Sequence, residues 1–309
     1  MNGWPTWRRV AALAGAALLL GAGFFAFARP WLLDWGATPS ERRLALPGDE
    51  IVPGAASTQT RAIDIVAPPA QVWPWLAQLG QDRGGFYSYE ILEDLVGCEM
   101  TNVYHLDPAL QQWTLGDKQW MYPPRKLGGV GHNVLLVLEP GHALGFGTHQ
   151  FGTAMAAPPD GSWSYVVEPA GTNGARLLIR GRSAGGYGWF AAGLVAALFD
   201  PIHFVMERKT MVTIKALAEG RSPPPKAADD WQVFLWASTF AALVASAVLL
   251  LRGRQPGRHL ATFVAAGLLL QVLPLLQPSP VIGTPLVAAL LFSVCDSWTP
   301  FRGLRSRWS

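Results

Sequence analysis

His203 and Glu207 stand four residues apart, so on a helix both side chains reach one ligand or one proton. A glutamate stripped of water in an apolar cavity holds its proton more firmly, which suits acid–base work. The same spacing also serves an ordinary hydrogen-bonded pair with Arg208 turned to solvent. Glu90 and Glu93, three apart on a short helix, fit a paired acid and base or a solvated face with negative charge near a helix N-terminus. Gly84-Gly85-Phe86-Tyr87-Ser88-Tyr89-Glu90 joins two predicted helices. Adjacent glycines let the chain turn sharply there, and the rings and hydroxyls beside them either face a cavity or fill a core.

Other chemistries lack their residues. The histidines, His105, His132, His142, His149, His203 and His259, fall at no spacing such as HExxH, so no metal site is expected. Gly131, Gly141, Gly145 and Gly147 lie in strand and hairpin context instead of a phosphate loop, and Ser162 lacks the flanking glycines of a nucleophile elbow. Cys98 and Cys295 sit in different regions and make no disulfide framework. Neither a catalytic residue nor a cofactor is assigned, and an enzyme is the lesser reading.

These residues belong to a chain that is 15% charged and 50% hydrophobic, against about 25% charge in a soluble domain, so part of it sits in lipid. The uncharged run Val10 to Ala28 comes close to the roughly 30 Å of a hydrocarbon core and predicts an anchor over residues 8–29. Ala26-Phe27-Ala28 also resembles a signal-peptide cleavage site, but the apolar run is longer than a usual signal core, which favours an uncleaved anchor. Further spans are predicted over residues 231–251 and 260–277. Residues 281–295, after the Gln277-Pro278-Ser279-Pro280 interruption, form a short spanning or re-entrant helix. Arginines at 8 and 9, at 252, 254 and 258, and at 302, 305 and 307 mark the cytoplasmic side. The expectation is a multi-pass protein of the cell (inner) membrane with its large domain outside the cytoplasm. The net charge of +3 suits anionic lipid and gives no reason to expect nucleic acid.

Residues 30–57, rich in Pro, Gly and charge, read as a linker. Beyond them a strand is predicted at Thr60–Val66, with Arg61 and Asp64 set against Ile63, Ile65 and Val66. Helices follow at 69–79 and 89–96, then strands at 118–122, 132–139, 143–149, 162–168 and 175–182. The apolar stretch 187–199 is too short to span and predicts a buried core helix; residues 202–218 predict an amphipathic one. The class is α+β with an antiparallel sheet.

Pro68-Pro69-Ala70-Gln71-Val72-Trp73-Pro74-Trp75-Leu76, the Gly85-to-Glu90 segment with Leu92-Glu93, and Pro201-to-Lys209 together resemble the SRPBCC superfamily, the START and Bet v 1-like helix-grip proteins. The resemblance covers residues 58–220. It implies an antiparallel sheet wrapped around a long C-terminal helix, with a cavity that in relatives takes up lipids or other apolar molecules. It implies further that Trp73, Phe86, Tyr87, Tyr89, Glu90, His203, Phe204 and Glu207 bind the ligand. A membrane-anchored binding domain for a hydrophobic small molecule or lipid is therefore expected. The alternatives are an enzyme acting on an apolar substrate in the same cavity, and an assembly partner working through its helix cluster.

Overall fold

The computed structural model describes residues 4–149, 157–186, 188–253 and 255–295. The chain forms two compact units, one of Trp31–Pro224 and one of Met1–Pro30 with Pro225–Ser309.

The first unit is built on one six-stranded antiparallel sheet: β1 (Ser57–Ile65), β2 (Lys118–Trp120), β3 (His132–Glu139), β4 (Ala143–Thr148), β5 (Gly161–Ala170) and β6 (Gly174–Ser183), in the order β1-β6-β5-β4-β3-β2. Neighbours from β2 to β6 are consecutive in sequence, and the first strand closes the far edge by pairing with the last, Ala62 opposite Leu178. Because side chains alternate across a strand, the sheet has two distinct faces. Ile65, Tyr165, Val167, Leu177 and Ile179 face one way and share a core with Val72, Trp75 and Leu76 of α2 (Pro69–Ala77) and with Met211 and Ile214. α3 (Glu90–Leu95) is short and ends before Gly97, whose φ of 91° takes the left-handed turn that stops it.

The opposite face carries Ala62, Ala143, Val166 and Leu178, and Leu46 packs on them. Residues 37–53, expected as part of a linker, are instead a strap over this face, with Leu46 and Val52 buried. Three arginines of β6 hold it. Arg176 forks onto both carboxylate oxygens of Glu41 at 2.8 and 2.9 Å. Arg180 donates to the carbonyls of Glu41 and Leu44 and to Asp49, and Arg182 to the carbonyl of Val52. A bidentate guanidinium–carboxylate pair adds geometric specificity as well as energy, so this proline- and glycine-rich stretch is fixed without regular structure.

Trp189–Leu194 forms α4, which runs through a π turn at Val195–Phe199 into α5 (Asp200–Ala218). The second half behaves as expected and buries Phe204, Glu207, Met211 and Ile214. The first half does not. Among its described side chains none is buried, and Leu194, Leu198 and Phe199 are exposed. The inner face of the sheet is already covered by α2 and by the helix from Phe204 onward, so the expected core position is taken. Tyr187 lies outside the described residues.

The second unit contains the body of α1 (Thr6–Leu33), α6 (Lys226–Arg252), α7 (Pro256–Leu276) and α8 (Pro280–Cys295). Among the described residues four helices are long and apolar enough to cross a membrane: α1, the continuous helix Phe190–Ala218, α6 and α7; α8, of 16 residues, is shorter. Gln277, in a left-handed conformation, ends α7 before the prolines that open α8. Arg9 donates to the carbonyls of Leu251 and Gly253, so the start of α1 lies against the end of α6, two places the arginine pattern assigns to one side of the membrane. Arg254, Arg302, Arg305 and Arg307 lie outside the described residues.

Candidate functional site

Arg61 is fully buried in β1. Its position follows from strand parity: Arg61, Ile63 and Ile65 are two apart and share the inner face, so the expected grouping of Arg61 with Asp64 against Ile63 and Ile65 is corrected. The guanidinium meets Glu207 of α5 at 2.6 Å and also donates to Gln59 Oε1 at 2.9 Å and to the carbonyl of Leu32 at 2.8 Å. The other Glu207 oxygen accepts the Trp163 indole N–H of β5 at 2.8 Å. An ion pair so enclosed loses most of its hydration, and the fixed donors replace the lost water.

His203 meets the pair through Nδ1, which lies 3.5 Å from the Arg61 guanidinium and 3.4 Å from the Gln59 amide. Its Nε2 is 3.9 Å from Glu207, beyond hydrogen-bond reach, and its ring stacks on Phe199 at 5.4 Å and lies 5.4 Å from Trp163. Phe204 lies under the Arg61 guanidinium at 5.1 Å, with Trp31 and Trp35 against its edges. Phe86 reaches the cluster by stacking on Trp163 at 5.9 Å. Beside Trp163, Tyr165 is fully buried, and its hydroxyl has no partner in hydrogen-bond geometry. Burial pushes that hydroxyl well above its ordinary pKa; the nearby Glu207 charge adds to the effect and the Gln119 amide opposes it.

Four of the sequence-expected residues, Phe86, His203, Phe204 and Glu207, thus come together. The others are held apart. Tyr87 sits at φ 55°, its N–H on Asn102 Oδ1 and its hydroxyl accepting from Gln78 at 2.7 Å, and burial raises its pKa. Glu90 accepts the Asn102 N–H, and the Asn102 amide donates to the Ser88 carbonyl, so one asparagine pins the whole turn. Tyr89 is buried, with the Lys209 ammonium 5.3 Å from its ring centre. Trp73 is half-buried against the main core. Arg61, Gln59, Trp163 and Tyr165 are the members that sequence reasoning missed. Only Arg61 carries a signal, a charge at an apolar parity.

Two open cavities share no lining residue with this cluster. One of about 700 Å³ runs between α1 and α7 and is lined by Gly15, Ala16, Leu20, Val264, Leu268 and Gln271. Another, of about 370 Å³, is lined by Asp34, Arg42, Arg43 and Thr60 under the strap.

No family model matches the chain, and neither does any curated protein. Among solved structures the chain is similar to protein MLL2253 from Mesorhizobium loti, at 15% identity over 53% of this chain and 99% of that one, with a TM-score of 0.29. It is similar to the protein encoded by BPP1335 from Bordetella parapertussis at 14% identity over 55% and 78%, TM-score 0.30. It is also similar to the Polyketide_cyc-like protein Cgl2372 from Corynebacterium glutamicum at 15% identity over 52% and 85%, TM-score 0.23.

Proposed function

We propose that this is a membrane-anchored helix-grip protein of the SRPBCC type, multi-pass in the cell membrane, whose domain takes up a hydrophobic small molecule, in the first place a lipid. The observation carrying the reading is the Arg61–Glu207 pair set into an apolar interior beside the unpartnered Tyr165 hydroxyl. Replacing a buried ion pair by apolar residues is commonly neutral or stabilising, and an unsatisfied buried hydroxyl costs free energy. Both features are explained by a ligand with an apolar body and a polar end, the end hydrogen-bonding to Tyr165 and lying in the field of Arg61. Phe86, His203 and Phe204 would contact its body, while Trp73, Tyr87, Tyr89 and Glu90 shape the wall behind. Both Glu207 oxygens are committed to Arg61 and Trp163, which favours a binding role for this carboxylate over proton transfer.

Native mass spectrometry of the full chain, extracted from membranes in mild detergent, tests this. An apolar molecule should co-purify with the wild type and be reduced or lost in the folded Tyr165→Leu variant. A folded wild-type protein that carries nothing and takes up no fluorescent lipid from vesicles would overturn the reading.

A further inference from the structure

The stretch Phe190–Phe199 combines three properties that conflict in water: it is helical, it carries no charge, and none of its described side chains is buried. Leu194 is 46% exposed, Leu198 and Phe199 are each 58% exposed, and Ile202 follows at 61%. From Phe204 onward the same helix is domain core. The helix therefore leaves the domain at Phe204. There it meets Trp31, whose ring lies 5.4 Å from that of Phe204. Trp31 belongs to the last turns of α1, just past Arg29, the first charge after the uncharged run Val10 to Ala28. A tryptophan beside an arginine at the end of a span is the usual mark of the head-group layer. α4 thus departs beside Trp31, three residues along the chain from the end of the uncharged run.

We propose that α4 and its π turn, Phe190–Phe199, are inserted into the acyl-chain layer of the membrane that holds α1, entering one leaflet without crossing. Length selects the leaflet. Ten helical residues rise about 15 Å, half of a hydrocarbon core of roughly 30 Å. The core-bound second half of the helix keeps the rest from following. Asp200 and Pro201 then fall at head-group depth, level with Trp31. The proposal goes beyond ligand binding and does not depend on it, although it sets Phe199 and His203, stacked on each other, at the boundary between lipid and the Arg61–Glu207 cluster.

The test uses the full chain in vesicles of phosphatidylcholine and phosphatidylglycerol, spin-labelled at Leu194→Cys or Leu198→Cys in a Cys295→Ser background. Cys98 stays, because it is buried and its thiol is pushed up to about 11 by that burial. Val66→Cys, at an exposed position of the domain, supplies the water reference, and Leu18→Cys, exposed on α1, the lipid reference. Collision with oxygen relative to a water-soluble nickel chelate should be several-fold higher at 194 and 198 than at 66, and match 18. Values like those at 66 would overturn the proposal. So would protection from both reagents, which would mean that protein, a second copy included, covers the segment. The labelled positions are exposed, so the label displaces no core side chain.

Discussion

Replacing Arg61 with methionine should be among the most damaging single changes available in the domain, and the reason can be worked through atom by atom. Methionine fills much of the same space but withdraws the donations to Glu207, Gln59 and the Leu32 carbonyl and the 3.5 Å contact with His203 Nδ1. Glu207 would keep only the Trp163 indole N–H, leaving a buried carboxylate without its counter-charge. Removing one partner of a buried pair costs about 3–5 kcal/mol. For a domain in the 150–250-residue class each kcal/mol is worth about 2–4 °C, so the melting temperature should fall by roughly 6–20 °C. Arg61→Met/Glu207→Met removes both charges and should recover most of this, ending within about 1–2 kcal/mol of wild type, because no charge is left stranded. Tryptophan emission of the full chain in detergent during heating reads the transition, supported by near-ultraviolet circular dichroism. A loss below about 1 kcal/mol in Arg61→Met, or a double variant less stable than the single one, would refute the view of Arg61–Glu207 as a strongly coupled interior pair.

Acid should loosen the strap. Hydrogen bonds from Arg176 hold the Glu41 carboxyl at about 2 against 4.5, so the unfolded chain binds the proton more readily; the pair's contribution, at most about 3 kcal/mol, is complete above about pH 5 and fades as pH falls from there to 2. A denaturation series across that range should be flatter for Glu41→Gln than for wild type. Gly85→Ala should destabilise by about 2–4 kcal/mol, since φ is +78° and the added Cβ would lie 2.7 Å from the Thr101 carbonyl oxygen; chemical denaturation measures it. Tyr87→Phe should cost about 0.5–1.5 kcal/mol, because Gln78 Nε2 loses the Tyr87 hydroxyl but keeps the His105 carbonyl, yet leave uptake of a fluorescent lipid unchanged, and a fall in uptake by the folded variant would return Tyr87 to the ligand site. Reporter fusions after Arg254 and within residues 150–160 should fall on opposite sides of the membrane, as the arginine pattern requires.

Strong local patterns were legible in the sequence. The strand expected at 132–139 is found at His132–Glu139, with a register shift between Leu135 and Val137, and Gly97 stops α3 as its type suggests. What escaped depends on partners far along the chain. The strap has no period of its own, and its order comes from Arg176, Arg180 and Arg182, more than a hundred residues later. α4 has the composition of a core helix, but composition does not say that α2 and the later half of α5 have already filled the core. At the site, His203 and Glu207 could be paired by spacing, whereas Trp163 and Tyr165 reach them only through the register of β5. Arg61 is the readable exception, because its parity with Ile63 and Ile65 sets its face in spite of its charge.

The strap also sets a clock. Glu41 emerges from the ribosome soon after the first span, but its partner Arg176 lies 135 residues later. At about 5–20 residues per second that separation is roughly 7–27 s of synthesis. β1 waits as long, since its one neighbour in the sheet is β6. During this interval the first strand of the nascent chain has an unpaired edge and Leu46 has no surface to cover, the condition under which strands associate with the wrong partner. Emergence of the strap and closure of the domain are therefore separate events in the life of this chain, and a holding factor would act in the gap between them.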